Sequence, residues 1–502
     1  MMRHMTLVDI ALIRPLHGVG LRIAVLLLGA VVALPLAADP RSDIFQPDAF
    51  RTGAALRERT PGLTDPLGRE CALPSSPLTL AAAVDIALCR NPATRSAWAS
   101  AHLQAAALGT AESAWLPTIN ATDQESRAHG PHVDVTGDVI QGNQNTNDAA
   151  LSLSWTLYDF GNRGGRIRSA RYLLDAAAAT ASSTVQQTVF NVVQAYYGVV
   201  AGDAQLVAAT ITDDTASQSL GIARALHEGG AATLGDVLEA ETAYDQAVLA
   251  RVLAAQAAEG ARGTLAVVIG VPADQPLKLD AQPVPAVVPA LTARMADLMA
   301  QAMQQRPDLA AAREERDSAI ADITVARAVG RPSIAIAGSR DRVKTTDVAL
   351  ANGTTGSLVQ NYGQIGITLT VPLFTGFSVG YGVRQAQATL EIRDANVEQV
   401  SLHVSQDVWN GYYALDSGNK QLEASAALIK TAQSSLEVAE GRYKAGVGIF
   451  VDLLTAQAAA SAARQARITA EQNWEVARAQ LALALGKLSG TEPLATAGGA
   501  LQ

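Results

Sequence analysis

The segment Gly376-Phe377-Ser378-Val379-Gly380 fits the G-x-S-x-G pattern that lifts a nucleophilic serine onto a sharp strand-to-helix turn. A hydrolase of that type also needs an acid and a histidine beyond the serine. The one histidine that follows is His403, 25 residues on and inside the helical pattern that Ser378 would start. That spacing is about 37 Å along a helix axis, far beyond hydrogen-bond reach. The glycines read better as easing a bend from strand into helix. The other histidines are scattered, HExxH and CxxC are absent, and neither a Walker nor a dinucleotide fingerprint occurs. No catalytic residue, metal or cofactor is expected. Two features keep a chemical role: the cysteine pair Cys71 and Cys89, and the acidic Asp452 just after a glycine turn.

The elements that would position them start with an export signal. Arg14, His17 and Arg22 precede an apolar run from Ile23 to Ala38 that ends in small residues. This order reads as a secretory signal peptide over residues 1–38, cut after Ala38. The alternative, a single membrane anchor, needs ~20 apolar residues, and the run is shorter. No cysteine follows the run directly, so a lipoprotein is not expected. In an oxidising compartment an even cysteine pair reads as one disulfide. It would staple the stretch before Leu78 to the helix holding Cys89; two buried thiols are the alternative.

A repeat at an offset of 215 to 216 residues organises the rest. Leu116-Pro117-Thr118-Ile119 matches Arg331-Pro332-Ser333-Ile334, and Tyr196-Tyr197 matches Tyr412-Tyr413. Gly230, Asp236 and Leu238 match Gly446, Asp452 and Leu454, and Gly270 matches Gly486. Each half predicts a helix, two short strands around a Gly/Asn-rich loop (130–147 and 346–361), and a long helical pair. Boundaries follow: an extension over 39–77, repeats over 78–270 and 292–487, a Pro-rich linker over 271–291, and a tail over 488–502.

Leu151, Leu153, Trp155 and Leu157 alternate with polar residues, as do Ile365, Ile367, Leu369 and Val371. The alternation gives one apolar and one polar face. It fits a surface sheet on a soluble core and a lipid-facing barrel equally well. Four strands are too few for a membrane barrel, so a barrel needs several chains. Val408, Leu415, Leu422, Ile429, Leu436 and Tyr443 recur every seventh residue, each of the first five followed three places on by Gly, Ser or Ala. That pattern predicts a left-handed supercoil with close helix approach, in a tube wall or in a coiled-coil scaffold. Asp452 stands in the first turn of the returning helix, where a carboxylate favours the dipole. Its other reading is a ring of carboxylates, one per chain, at the mouth of a tube.

Composition agrees with thin walls. Of 502 residues 49% are hydrophobic, much of it alanine, and only 4% aromatic, so thick cores are not expected. The formal charge of −9 argues against nucleic acid as a partner. The mean hydropathy of +0.14 is too low for a bundle of membrane-spanning helices.

The duplicated plan, the R-Y-x-x-G…D-x-L turn from Arg442 to Leu454, Val371-Pro372-Leu373-Phe374 and Leu116-Pro117-Thr118 together resemble the TolC-like outer-membrane factor family. The stretch from Leu78 to Pro92, with Cys71, is most similar to the CyaE-type members of type I protein secretion. The resemblance implies an α+β membrane protein: a homotrimeric outer-membrane β-barrel, four strands per chain, continuous with a periplasmic α-helical barrel. It implies a passive duct carrying a secreted protein, with a periplasmic adaptor (membrane fusion protein) and an inner-membrane ABC transporter as partners. Small-molecule efflux is the alternative within the family, and a periplasmic coiled-coil scaffold the alternative outside it. Gly230, Asp236, Arg442, Tyr443 and Gly446 would form the adaptor-contacting tips, and Asp452 and Thr455 the periplasmic entrance. Thr455 replaces a second acid of the family pattern and Gly448 a basic gate partner, which leaves a charge-latched gate without its usual residues.

Overall fold

The computed structural model describes residues 48–60, 66, 71, 77–133, 139–280, 294–349 and 355–488. The signal peptide, most of the 39–77 extension, linker residues 281–291 and the tail beyond Leu488 lie outside the described residues. The chain divides after Ala49 into two units, and all that follows concerns the second.

After a short helix α1 (Thr52–Arg59), the elements run α2 (Leu80–Arg90), α3 (Pro92–Ser113), β1 (Thr118–Val133), β2 (Val139–Tyr158), α4 (Asn162–Glu228) and α5 (Leu234–Val268). They continue with α6 (Met295–Gln305), α7 (Pro307–Ala328), β3 (Ser333–Ala349), β4 (Thr355–Thr370), α8 (Ser378–Lys444) and α9 (Phe450–Ala484). The helices of the two series match in length: 11, 22, 67 and 35 residues in each. At ~1.5 Å per residue α4 and α8 are each about 100 Å long.

Local chemistry sets the breaks. Asn91 and Arg306 precede prolines, which disfavour helical ψ in the residue before them; both sit extended, at ψ 128° and 121°. Pro92 and Pro307 then open α3 and α7 at a position where a missing N–H costs nothing. The Asn91 side chain accepts from Ala93 N–H at 2.8 Å and donates to the Val268 carbonyl at 2.8 Å, tying α2 to the end of α5.

The seven-residue stripe of α8 is buried, with Val408, Leu415, Leu422, Leu436 and Tyr443 inside and Ile429 half-buried. The small residues do what their spacing implied. A β-carbon on Gly411 would stand 3.2 Å from the Leu481 Cα of α9, and one on Gly202 3.2 Å from the Ala258 Cα of α5. Two clusters, one around Val192 and Leu265 and one around Val408 and Leu481, form the middle of the helical layer. A third joins both hairpin ends, with Leu220, Ala223 and Ala240 against Leu436, Phe450 and Leu453. Across the two halves, Glu475 of α9 pairs with Arg478 at 2.9 Å and bonds Tyr197 of α4. Burial holds the Glu475 carboxyl above the usual carboxylate range, although Arg478 pulls it down.

The strands form one antiparallel sheet in the order β1-β2-β3-β4. Their helices keep that lateral order: α3 packs on α4, α4 on α7 and α7 on α8. The expected strand lengths are corrected. Strands of 16 to 20 residues replace the short ones, and most of the two Gly/Asn-rich segments taken as loops is paired. Asn143, Asn145 and Asn147 lie opposite His129, Arg127 and Glu125, where ladder hydrogen bonds override weak strand propensity.

Candidate functional site

Neither face of the sheet is covered. Among the described strand residues none is buried. Register places Ile119, Leu153 and Gly338 in one row, and Trp155, Ile336 and Ile367 in the next, all on one face. Ile365 and Ile367 are 75% and 73% exposed. The opposite face carries Thr118, Asn120, Ser152, Ser154, Ser339, Gln364 and Thr368. The outer edges of β1 and β4 have no strand partner among the described residues. An apolar face this open, backed by a polar one, is the pattern of strands between lipid and a wet lumen.

Aromatic residues collect where strands become helices. Trp115, Tyr158, Phe160, Phe374, Phe377 and Tyr381 are all exposed there, with Tyr158 edge-on to Phe160 and Phe374 edge-on to Phe377. Such a belt suits a membrane–water boundary. Arg163, which sequence reasoning missed, locks this junction. Its guanidinium donates to the carbonyls of Thr156 at 2.6 Å and Leu157 at 3.0 Å, pairs with Asp159 at 2.9 Å and stacks 4.2 Å from Trp115. The Asp159–Arg163 spacing was the available signal, and it was hidden because the other half has Thr375 and Val379 there.

Ser378 opens α8 behind Phe377, which holds a left-handed backbone at φ 65°. His403 is exposed on the same helix, about seven turns further on, so the two are not brought together. Cys71 and Cys89 are joined as a disulfide, with Cα atoms 6.4 Å apart.

At the far end the helices turn at Gly230 and Gly446, with φ of 74° and 73°. Backbone N–H groups of Ala231 and Val447 return to the carbonyls of Leu226 and Arg442 at 2.8 and 3.0 Å, closing each helix. The first turn enters α5 through a capping box. Thr233 accepts from Asp236 N–H, and the Asp236 carboxylate accepts from Thr233 N–H at 2.9 Å. The second has Ile449 at the cap, which accepts nothing. Asp452, in the position of Asp236, is therefore exposed and without a partner among the described residues. Thr455 is also exposed, its hydroxyl turned back to the Val451 carbonyl at 2.8 Å. Arg442 is exposed, whereas Tyr443 is only 4% exposed and packs 5.2 Å from the Phe450 ring. Burial, and then the Asp236 carboxylate, push the Tyr443 hydroxyl up. Gly448 is closely packed: a β-carbon would lie 3.1 Å from Arg442 Cβ and Tyr443 N.

Among the described residues the sheet is open on both faces and edges and runs into two 67-residue helices, the plan of an outer-membrane channel protein. Residues 83–271 and 298–487 match the family described as outer membrane efflux protein, and the chain belongs to that family. CyaE of Bordetella pertussis is 30% identical over 392 residues, 78% of this chain and 80% of that protein. The probable efflux pump outer membrane protein TtgC of Pseudomonas putida is 28% identical over 366 residues, 70% of this chain and 71% of that protein. The outer-membrane channel OprN has the same fold, with a TM-score of 0.70 at 20% identity over 85% of this chain and 97% of that one. The chain is thus a component of a transport duct in the outer membrane that reaches into the periplasm, not an enzyme, and the scaffold alternative falls.

Proposed function

We propose that three copies close into one barrel and one helical tunnel, forming the passive exit duct of a tripartite export system. The observation that carries this reading is the uncovered four-stranded sheet, whose lateral order continues in the helices below it. Open edges at β1 and β4 need strands from neighbouring copies. Along α8, no residue before Val404 is buried, and Ile392 and Leu402 are exposed there, so the helical layer has an open edge too. The equal helix lengths of the two series support an internal duplication, which gives three chains a near-sixfold wall. The hairpin tips, with Leu234, Leu238, Val447, Ile449, Val451 and Arg442 exposed, suit docking to a periplasmic adaptor that links the duct to an inner-membrane ABC transporter. The CyaE-type resemblance supports an exported protein as cargo; similarity to efflux pump components supports small-molecule efflux as the second reading.

The purified full chain is expected to require detergent and to give stepwise ion conductance in planar bilayers. Solubility without detergent and no conductance would overturn the duct. Within this reading three Asp452 carboxylates ring the entrance. Asp452→Ala is expected to relieve block of that conductance by divalent cations added on the tip side, and unchanged block rejects the ring. Asp236→Ala, which removes a capping carboxylate, should cost about 1 kcal/mol of stability and leave block unaltered.

A further inference from the structure

Arg340, Arg342 and Lys344 occupy every second position of β3, so they share one face, and all three are exposed. Register identifies the face. Arg340 stands opposite Leu151 and Gly363, Arg342 opposite Ala149 and Asn361, and Lys344 opposite Asn147 and Val359. Ile336, nearer the helices on the same strand, is opposite Trp155 and Ile367. The cations therefore continue the apolar face toward the end of the sheet away from the helices. None of the three has an ion-pair partner among the described residues. The corresponding positions of β1 are Glu125, Arg127 and His129, so the all-cationic row occurs once per chain.

A depression of about 490 Å³ adjoins the row, with Arg340 and Arg342 on one wall, Asp123 on the other, and Ala121, Ala149 and Leu151 between. Asp123 lies two strands away, roughly 9–10 Å across the sheet, and already accepts from Asn147 Nδ2 at 2.9 Å. It leaves the arginine forks free and offers an acceptor to hydroxyl groups of anything seated beside them.

Unpaired cations on a lipid-facing strand are unfavourable except at headgroup depth, where anionic groups meet them. We infer that this row is a binding site for phosphate groups of outer-leaflet lipid headgroups. Arg340 and Arg342 donate in parallel to one phosphate, and Lys344 adds a point charge beside it. The inference rests on the reading of this face as lipid-facing and of the helices as periplasmic.

The test uses the full chain in detergent, fluorescently labelled, titrated with lipopolysaccharide, with enzymatically dephosphorylated lipopolysaccharide and with inorganic phosphate. The wild-type chain is expected to bind the phosphorylated lipid, with affinity reduced about a hundredfold in R340S/R342S/K344S, as three cations near an anionic surface imply. Dephosphorylation should weaken binding comparably, and inorganic phosphate should compete only weakly. Equal binding of the dephosphorylated lipid, an unchanged affinity in the triple variant, or full competition by inorganic phosphate would overturn the lipid-headgroup site. Conductance of the same samples separates the two ideas. Conductance without lipid selectivity removes the site and leaves the duct, whereas no conductance from the wild-type chain removes the duct itself.

Discussion

Ile367→Lys is expected to abolish stable assembly in the outer membrane. Ile367 lies in the middle of the apolar rows, flanked along β4 by Ile365 and Leu369 and across the sheet by Ile336. It is 73% exposed, so the change removes little packing within the chain. The cost arises from lipid: a lysine at mid-membrane depth on a barrel exterior costs about 2–4 kcal/mol, and the proposed trimer would carry three. That sum is comparable with the whole stability of an ordinary domain, about 5–15 kcal/mol. The neighbouring Thr368 points to the other face, opposite Ala335. Thr368→Lys should therefore assemble normally and alter conductance instead. Outer-membrane fractionation and heat-resistant oligomers on gels separate the two variants. Equal assembly of Ile367→Lys and wild type would remove lipid from the apolar face.

Much of the helical half of this architecture was legible because its signals are local. Glycine at Gly230 and Gly446 and a strict seven-residue stripe each constrain the backbone within a few residues. They gave the turns and the long helices nearly to the residue. The strands were legible only where apolar residues alternate, around Leu151–Leu157 and Ile365–Val371. Beyond that, from Asn143 to Asn147, polar residues occupy both faces, and only the partner strand decides the conformation. A single chain with no visible partner strand offers no pattern there.

Charge at the tips shows a similar limit. Asp236 and Asp452 are equivalent by offset, and the sequence alone allowed both a cap and a functional ring for the second. Three residues upstream the cap positions differ, Thr233 against Ile449, and that difference puts only Asp236 in a capping box. Thr233 engages Asp236, while Ile449 leaves the Asp452 carboxylate facing solvent. The tyrosine of the turn was misleading for a different reason. A conspicuous R-Y pair at a loop looks like surface, but the seven-residue stripe that passes through Tyr443 directs its ring inward.

A large stability loss is expected at Gly486→Val. Gly486 follows α9 with φ 73°, and a β-carbon there would lie 2.8 Å from the Gln305 carbonyl oxygen and 3.0 Å from its carbon. Both atoms are backbone at the end of α6, so no flexible side chain can yield. Gly270 faces the backbone of Arg90 at 2.8 Å in the same way. The two glycines are where the hairpins seat onto the short helices that open each repeat. A β-branched residue with positive φ costs at least 1–2 kcal/mol, and relieving the overlap must shift α6 or α9 and disturb the Gln186 bond to the Gly486 carbonyl at 3.0 Å. A total loss of about 4 kcal/mol or more is expected in chemical denaturation. Gly446→Val supplies the control. Its φ is also 73°, but nothing lies within 4 Å of the added carbon, so it should lose only the backbone term. If both variants lose the same amount, strain in the turn alone governs these positions, and the close seating of hairpin on short helix is not what fixes glycine at the end of each repeat.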